Sequence, residues 1–190
     1  MGQSHKHYKL FKPHGYLSQF QNNQQRRRNK KLLGSLYDFP PGTMAIGRLD
    51  EDSEGLLLLT TDGKKSQEIR SRKIEKEYWV QVDGEITQEA IGQLREGVEI
   101  SVNAKPYTTL PCNVHSLGGS PSLPPRAKPV RDDRHGPSSW VSITLTEGKF
   151  RQVRKMTAAV GFPTLRLVRV RIGPYEIGQM QPGQVQKVEL

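Results

Sequence analysis

The sequence predicts an α+β fold: a mixed, mostly antiparallel sheet with flanking helices and loops. Three observations lead there. Two segments alternate with period two, Tyr78, Val80 and Val82 against Trp79, Gln81 and Asp83, and again Trp140 to Leu145. The apolar run Leu56 to Leu59 is short and bounded by turn residues, which suits a fully buried strand better than a helix. Helical patterns are few and short, and no regular βα alternation runs through the chain. A length of 190 residues fits one domain, or two small lobes that share a core.

Along the chain, Tyr8 to Phe11 reads as a strand stopped by the turn Lys12-Pro13-His14-Gly15. Gln21 to Lys31 is polar, basic and aperiodic, a mobile loop. Met44 to Ile46 is a short strand, after which Gly47-Arg48-Leu49-Asp50 turns into Glu51-Asp52-Ser53-Glu54. Gly55 opens the buried strand, and Lys64 to Arg70 supplies one or two helical turns. Thr87 is a good N-cap for a helix carrying Ala90, Ile91 and Leu94 on one face and closed by Gly97. Val98 to Val102 and Leu110 to Leu117 are candidate strands. Gly118 to Ser139, rich in Pro, Gly and Ser, reads as an insertion loop. Phe150 to Val160 is a helix with Val153, Met156 and Val160 on one side, ended by Gly161 and Pro163. Leu165 to Ile172 returns as a strand that interleaves Arg166, Arg169 and Arg171 with apolar residues, and Val185 to Leu190 adds an edge strand.

The formal charge is +10, and its distribution is uneven. From Met1 to Pro40 there are eight Lys or Arg (Lys6, Lys9, Lys12, Arg26, Arg27, Arg28, Lys30, Lys31) and one acid, Asp38. From Gly148 to Arg171 there are seven (Lys149, Arg151, Arg154, Lys155, Arg166, Arg169, Arg171) and none. Segregation of this kind makes a positive face that can neutralise phosphates, so nucleic acid is the expected partner. A membrane surface is the weaker one, since no basic amphipathic helix with a long apolar stripe is visible. No run approaches the length of a membrane span, and Met1 to Leu10 lacks the apolar core of a signal peptide. The single cysteine, Cys112, cannot form an internal disulfide and reads as a small strand hydrophobe. Together these predict a cytoplasmic protein, and nothing points to an obligate oligomer, so a monomer is expected.

Four acids occupy the five positions Asp50 to Glu54. They fit a solvated turn, acids at a helix N-terminus, or a hard-metal site for Mg²⁺. The residues before them suggest a further chemistry. Gly47 permits an unusual backbone, Arg48 offers a phosphate-sized fork, and Leu49 is an apolar neighbour for a carboxylate beside a buried strand. Asp50 is then a candidate nucleophile or general base.

The string from Gly47 to Leu57 resembles the central motif of the bacterial ribosomal pseudouridine synthases of the A type, the family named for the small ribosomal subunit. Within it the string most resembles the E-type large-subunit branch. Further segments agree in order. Leu10-Phe11-Lys12-Pro13-His14-Gly15 is similar to the first motif, with Phe11 where the family has Asn. Lys76-Glu77-Tyr78 is similar to the second-strand motif, Glu147 to Met156 to the third, and Leu167 with Arg169, Ile172 and Gly173 to the closing strand. The chain begins almost at the first motif, so the expectation is a single catalytic domain without the S4-type RNA-binding module common in this family.

The resemblance implies a pseudouridine synthase fold and an isomerisation of uridine, with 23S ribosomal RNA as partner. The ribose leaves uracil N1 and rejoins at C5. Nothing is oxidised or reduced, so neither cofactor nor metal is expected; no Walker loop, dinucleotide fingerprint or His/Cys metal spacing is present. Asp50 would attack the anomeric carbon or remove the 2′ proton. For Arg154 the charge pattern leaves a phosphate contact and an ion pair equally open, and the resemblance implies a pair with Asp50 that offsets the carboxylate's desolvation. Tyr78 would stack on uracil and serve in proton removal at C5, against the plain alternative of a core strand tyrosine. Lys12, Arg48, Leu49, Lys76, Gln152 and Leu167 are the candidate pocket residues. Arg26, Arg27, Arg28, Lys30, Lys31, Arg151, Arg166, Arg169 and Arg171, with the 118–139 loop, are the candidates for holding RNA around a flipped nucleotide. Two other functions fit less of the sequence: an RNA-binding ribosome assembly factor of the same fold, and a Mg²⁺-dependent phosphodiesterase using Asp50, Asp52 and Glu54.

Overall fold

A computed structural model of the protein describes residues 4–22 and 29–190. Most of the loop expected over 21–31 therefore lies outside the described residues. Strands β1 (His7–Lys12), β2 (Met44–Ile46), β3 (Glu54–Thr60), β4 (Lys76–Asp83), β5 (Glu99–Val102), β6 (Lys105–Thr108), β7 (Asn113–Ser116), β8 (Ser138–Leu145), β9 (Thr164–Ile172), β10 (Tyr175–Glu176) and β11 (Val185–Lys187) alternate irregularly with helices α1 (Gly63–Ser71), α2 (Gln88–Glu96) and α3 (Gln152–Ala159). The main sheet runs β11-β1-β3-β9-β4-β8-β7, with β2 added to β3 and β10 to β9. Among these strand pairs only β3–β9 is parallel, so the expected mostly antiparallel α+β arrangement is what forms.

Every residue of β3 is buried, because both faces of the sheet are covered there. Side chains of a strand alternate between faces. Leu57 and Leu59 accordingly pack with Tyr8, Leu10 and Leu33, whereas Leu56 and Leu58 pack with Ile46 and Ile172. A larger core lies under β4, β8 and β9, where Val80, Val82, Val141, Ile143 and Leu167 meet Ile91 and Leu94 of α2 and Val153 and Met156 of α3. On the opposite face Phe11, Val168 and Val170 pack with Ile177 and Met180. Phe11, which stands where the resembled motif has Asn, is therefore a core residue.

The short parallel contact pairs Glu54 with Val168 and Gly55 with Arg169, which sets the acidic turn beside the closing strand. Gly55 makes this possible: its φ is +110°, and a Cβ there would lie 2.3 Å from the Arg169 carbonyl oxygen. The Thr87 cap forms as expected, its side chain accepting from the Ala90 N–H. Several elements differ from expectation, among them a short β10 at Tyr175–Glu176 that the sequence did not suggest and an edge strand β11 that ends at Lys187. Leu110 to Leu117 contributes a strand only over Asn113–Ser116, and an unexpected hairpin joins β5 to β6. Its turn places Asn103 and Ala104 at φ 51° and 60°, the left-handed pair of a two-residue hairpin turn, without the glycine that marks such turns in sequence. The 118–139 segment carries no strand before β8 begins at Ser138, but it is held to the sheet. Leu123 packs against the Phe11 cluster, and the Pro124 carbonyl accepts from Arg166.

Candidate active site

A cleft of about 670 Å³ opens where the β2–β3 connection, the end of β4 and the entry to α3 converge. Asp50, Arg48, Leu49, Lys76, Tyr78, Gln152, Arg154 and Leu167 all border it. Its placement follows from strand alternation. Tyr78 lies on the face of β4 that carries Val80 and Val82 into the core, and at Tyr78 that face reaches the cleft. Tyr78 thus packs on the core and also lines the cavity.

The loop that carries Asp50 is held from several sides. Gly47 turns it at φ +75°. Leu49 is buried, and the Ser18 hydroxyl both donates to its carbonyl (2.5 Å) and accepts from its N–H (2.9 Å). The Glu51 carbonyl accepts from Gly15 N–H at 2.8 Å, and the Ser53 N–H closes a turn onto the Asp50 carbonyl at 3.0 Å. Lys12 takes part in this frame and is absent from the cavity lining. Its fully buried ammonium donates to the carbonyls of Pro13 and Tyr16 at 2.9 and 2.8 Å. Burial pushes its pKa down to about 8, with Glu54 the largest opposing influence.

The four acids diverge toward different cations, except that Asp50 and Asp52 share Arg151. Glu51 takes Lys30 at 2.6 Å. Glu54, 2% exposed, is gripped by Arg166 with two bonds of 2.9 Å. Asp52 receives both ends of the Arg151 fork at 2.9 Å, and the same guanidinium lies 3.4 Å from Asp50. Arg151 reaches them from a left-handed backbone conformation (φ 52°, ψ 33°) at the N-cap of α3. Its hydrogen bonds, ahead of the Arg154 charge, hold the Asp52 carboxyl down at about 2. That depressed value favours the fold at neutral pH, and the contribution is lost as the pH falls from the ordinary carboxylate range near 4 toward 2. Among the described residues, no group of three or more His, Cys, Asp or Glu side chains is placed to hold a metal ion.

The expected Arg154–Asp50 pair is not formed. Arg154 donates to the Asp52 carbonyl at 2.9 Å and the Ser53 hydroxyl at 3.1 Å, while its Nε is buried with no partner among the described residues. It shapes the acidic turn through the backbone and approaches the Asp52 carboxylate at 3.6 Å, while the direct contact with Asp50 comes from Arg151. Gln152 also serves the frame: buried, it donates to Glu147 at 2.7 Å and accepts from the Lys149 N–H. Glu147 is a hub that sequence reasoning missed, accepting from Tyr107 Oη, Leu110 N–H and Gln152 and so tying the hairpin to the turn before α3.

Several of the expected RNA contacts have partners within the protein. Arg166 and Arg169 are buried: Arg166 is spent on Glu54 and Pro124, and Arg169, which borders the cleft, donates to the Leu56 carbonyl at 2.8 Å and has its Nη2 without a partner among the described residues. Arg171 lies between Glu75 and Glu77, at 3.3 and 3.7 Å. Lys30 and Arg151 are engaged with acids as above, and Lys31 sits over the Tyr16 ring. Arg26, Arg27 and Arg28 lie outside the described residues. Besides Arg151 and Arg169, the cations that border the cleft include Arg70 and Arg72 at the α1 end and Lys149; charge counting along the chain did not single out Arg70 and Arg72.

No helix among the described residues is long and apolar enough to cross a membrane. The model of the RNA pseudouridylate synthase family matches residues 7–159. The chain is similar to ribosomal large subunit pseudouridine synthase E of Xanthomonas campestris pv. campestris, 46% identical over 177 residues, with 92% of this chain and 91% of that protein covered. The protein of the same name from Vibrio parahaemolyticus is 42% identical over 183 residues, covering 94% and 72%. A crystal structure of a pseudouridylate synthase superposes with a TM-score of 0.76 at 25% identity, over 98% of this chain and 71% of that one. With the acid-bearing turn, the β4 tyrosine and the α3 arginines meeting in one cleft, and this family matched across most of its length, the chain belongs to the RNA pseudouridylate synthases.

Proposed function

We propose that this protein converts one uridine of large-subunit (23S) ribosomal RNA to pseudouridine, with Asp50 as the essential carboxylate. The observation that carries the reading is the position of Asp50. It is 30% exposed in a cleft that also offers Tyr78 and Leu167 to a planar ring, and among the described residues its side chain is tied by one long contact to Arg151. The target nucleotide leaves its stack to enter. The C1′–N1 bond breaks, C1′–C5 forms, and the proton on C5 is lost while N1 gains one, so atoms and charge balance without a co-substrate. Asp50 acts on the sugar, and Tyr78 on the base edge. The names of the similar proteins support large-subunit RNA for the target, and work on ribosomal RNA suits a cytoplasmic protein with a single catalytic domain.

Pseudouridine mapping of total RNA from cells with and without the gene tests this. One large-subunit uridine should lose its modification. An unchanged map with accumulating ribosome precursors would favour the assembly factor instead, and a site lost from transfer RNA would move the substrate.

Arg151 yields a second expected result. Arg151→Ala removes a charge-assisted partner from Asp50 and Asp52 together, so single-turnover rates should fall roughly 10–100-fold, the equivalent of about 1.5–3 kcal/mol. RNA affinity should change much less, and Arg151→Lys should be intermediate because its point charge cannot fork. A change confined to affinity, with a salt slope lower by about one unit, would reassign Arg151 to a phosphate.

A further inference from the structure

Phe150 is 70% exposed, the most exposed large apolar side chain among the described residues. Isolated exposed hydrophobics are common and need no explanation of their own. Three features set this one apart. It borders the mouth of the cleft, in the turn between β8 and α3. It directly precedes Arg151, whose guanidinium reaches Asp50, so its backbone is held by the same contacts that order the acidic turn. A cation also adjoins it: the Lys155 ammonium lies 5.3 Å from its ring centroid, while Lys149, its neighbour in the chain, places its ammonium over the Tyr107 ring.

An aromatic ring at a basic rim has the chemistry of a nucleobase platform, with the π-face taking a base and the cations taking its phosphates. A protein or membrane partner would call for a contiguous apolar patch, whereas Phe150 is flanked in the chain by Gly148, Lys149 and Arg151 and has the Lys155 ammonium against its ring. When a uridine leaves the RNA stack, the faces of its neighbours lose their partner. A ring fixed at the cleft mouth is positioned to replace it. We propose that Phe150 stacks on a nucleobase adjacent to the target uridine and so stabilises the flipped-out substrate. This rests on the proposed pseudouridine synthase activity.

The test compares Phe150→Ala, Phe150→Leu, Phe150→Tyr and Phe150→Trp on a large-subunit RNA transcript carrying the mapped uridine. Binding is measured in an Asp50→Asn background, and single-turnover rates in the otherwise native protein. Melting temperatures should be unchanged, because the ring is exposed. Phe150→Ala and Phe150→Leu should each lose about 10-fold in binding or in single-turnover efficiency, while Tyr and Trp restore it. Transcripts abasic at the nucleotide on either side of the uridine should include one that binds native and Phe150→Ala proteins equally. If Phe150→Ala matches the native protein, or Leu rescues as well as Trp, the platform is wrong. If the native protein turns over no large-subunit transcript, the functional reading itself fails and the platform falls with it; turnover that ignores every Phe150 variant removes only the platform.

Discussion

Asp50→Asn is expected to leave a folded protein that binds RNA and makes almost no pseudouridine. The side chain is partly exposed, and its charged contact among the described residues is Arg151 at 3.4 Å, so the isosteric amide disturbs little. The carbonyl that caps the Ser53 turn belongs to the backbone and survives the change. What is lost is the carboxylate proposed to act on the ribose, and removing such a group costs roughly four or more orders of magnitude in rate. Asp52→Asn is the control. It weakens the bidentate Arg151 bond and lets that arginine drift, a loss of about 10–100-fold in rate. Single-turnover assays beside equilibrium binding measure both. Turnover by Asp50→Asn within about ten-fold of the native protein, or a deeper loss for Asp52→Asn, would move the chemistry off Asp50.

The contrast between these neighbours shows which part of the site was legible. Motif order located the acid run, and alternation in β4 put Tyr78 on the core-and-cleft face. The run Leu56 to Leu59 read as a buried strand because it is short and bounded by turn residues, which suits a strand better than a helix. What failed was the assignment of charges to partners. Arg151 and Arg154 are three apart at the entry of one helix, and spacing alone puts both near the acids. The left-handed backbone at Arg151 decides which one meets Asp50, and no residue type at that position announces it. The β5–β6 hairpin was missed for a similar reason, since Asn103-Ala104 lacks the usual glycine. The basic residues of β9 misled most. Counted along the chain they extend a positive face, yet Arg166 and Arg169 lie buried, Arg166 paired with Glu54 and Arg169 in the cleft wall.

Arg166 therefore carries a large stability effect. Its side chain is 9% exposed and that of Glu54 is 2%, and the pair is joined by two parallel bonds with a third to the Pro124 carbonyl at 2.7 Å. Cutting one partner strands the other charge out of water, at a cost of about 3–5 kcal/mol, which for a chain of this size lowers the melting temperature by roughly 6–20 °C. Arg166→Met and Glu54→Gln should each show most of this. The double substitution Glu54→Leu with Arg166→Met removes both charges and should recover much of the loss, since a buried pair and an apolar replacement are often close in energy. The consequences reach the site, because Glu54 ends the acidic turn and opens β3, and Pro124 anchors the 118–139 segment. Denaturant unfolding of the three variants measures the coupling. If Arg166 instead served RNA, as its place in the basic run implied, Arg166→Met would unfold like the native protein and lower the salt slope of RNA binding by about one unit.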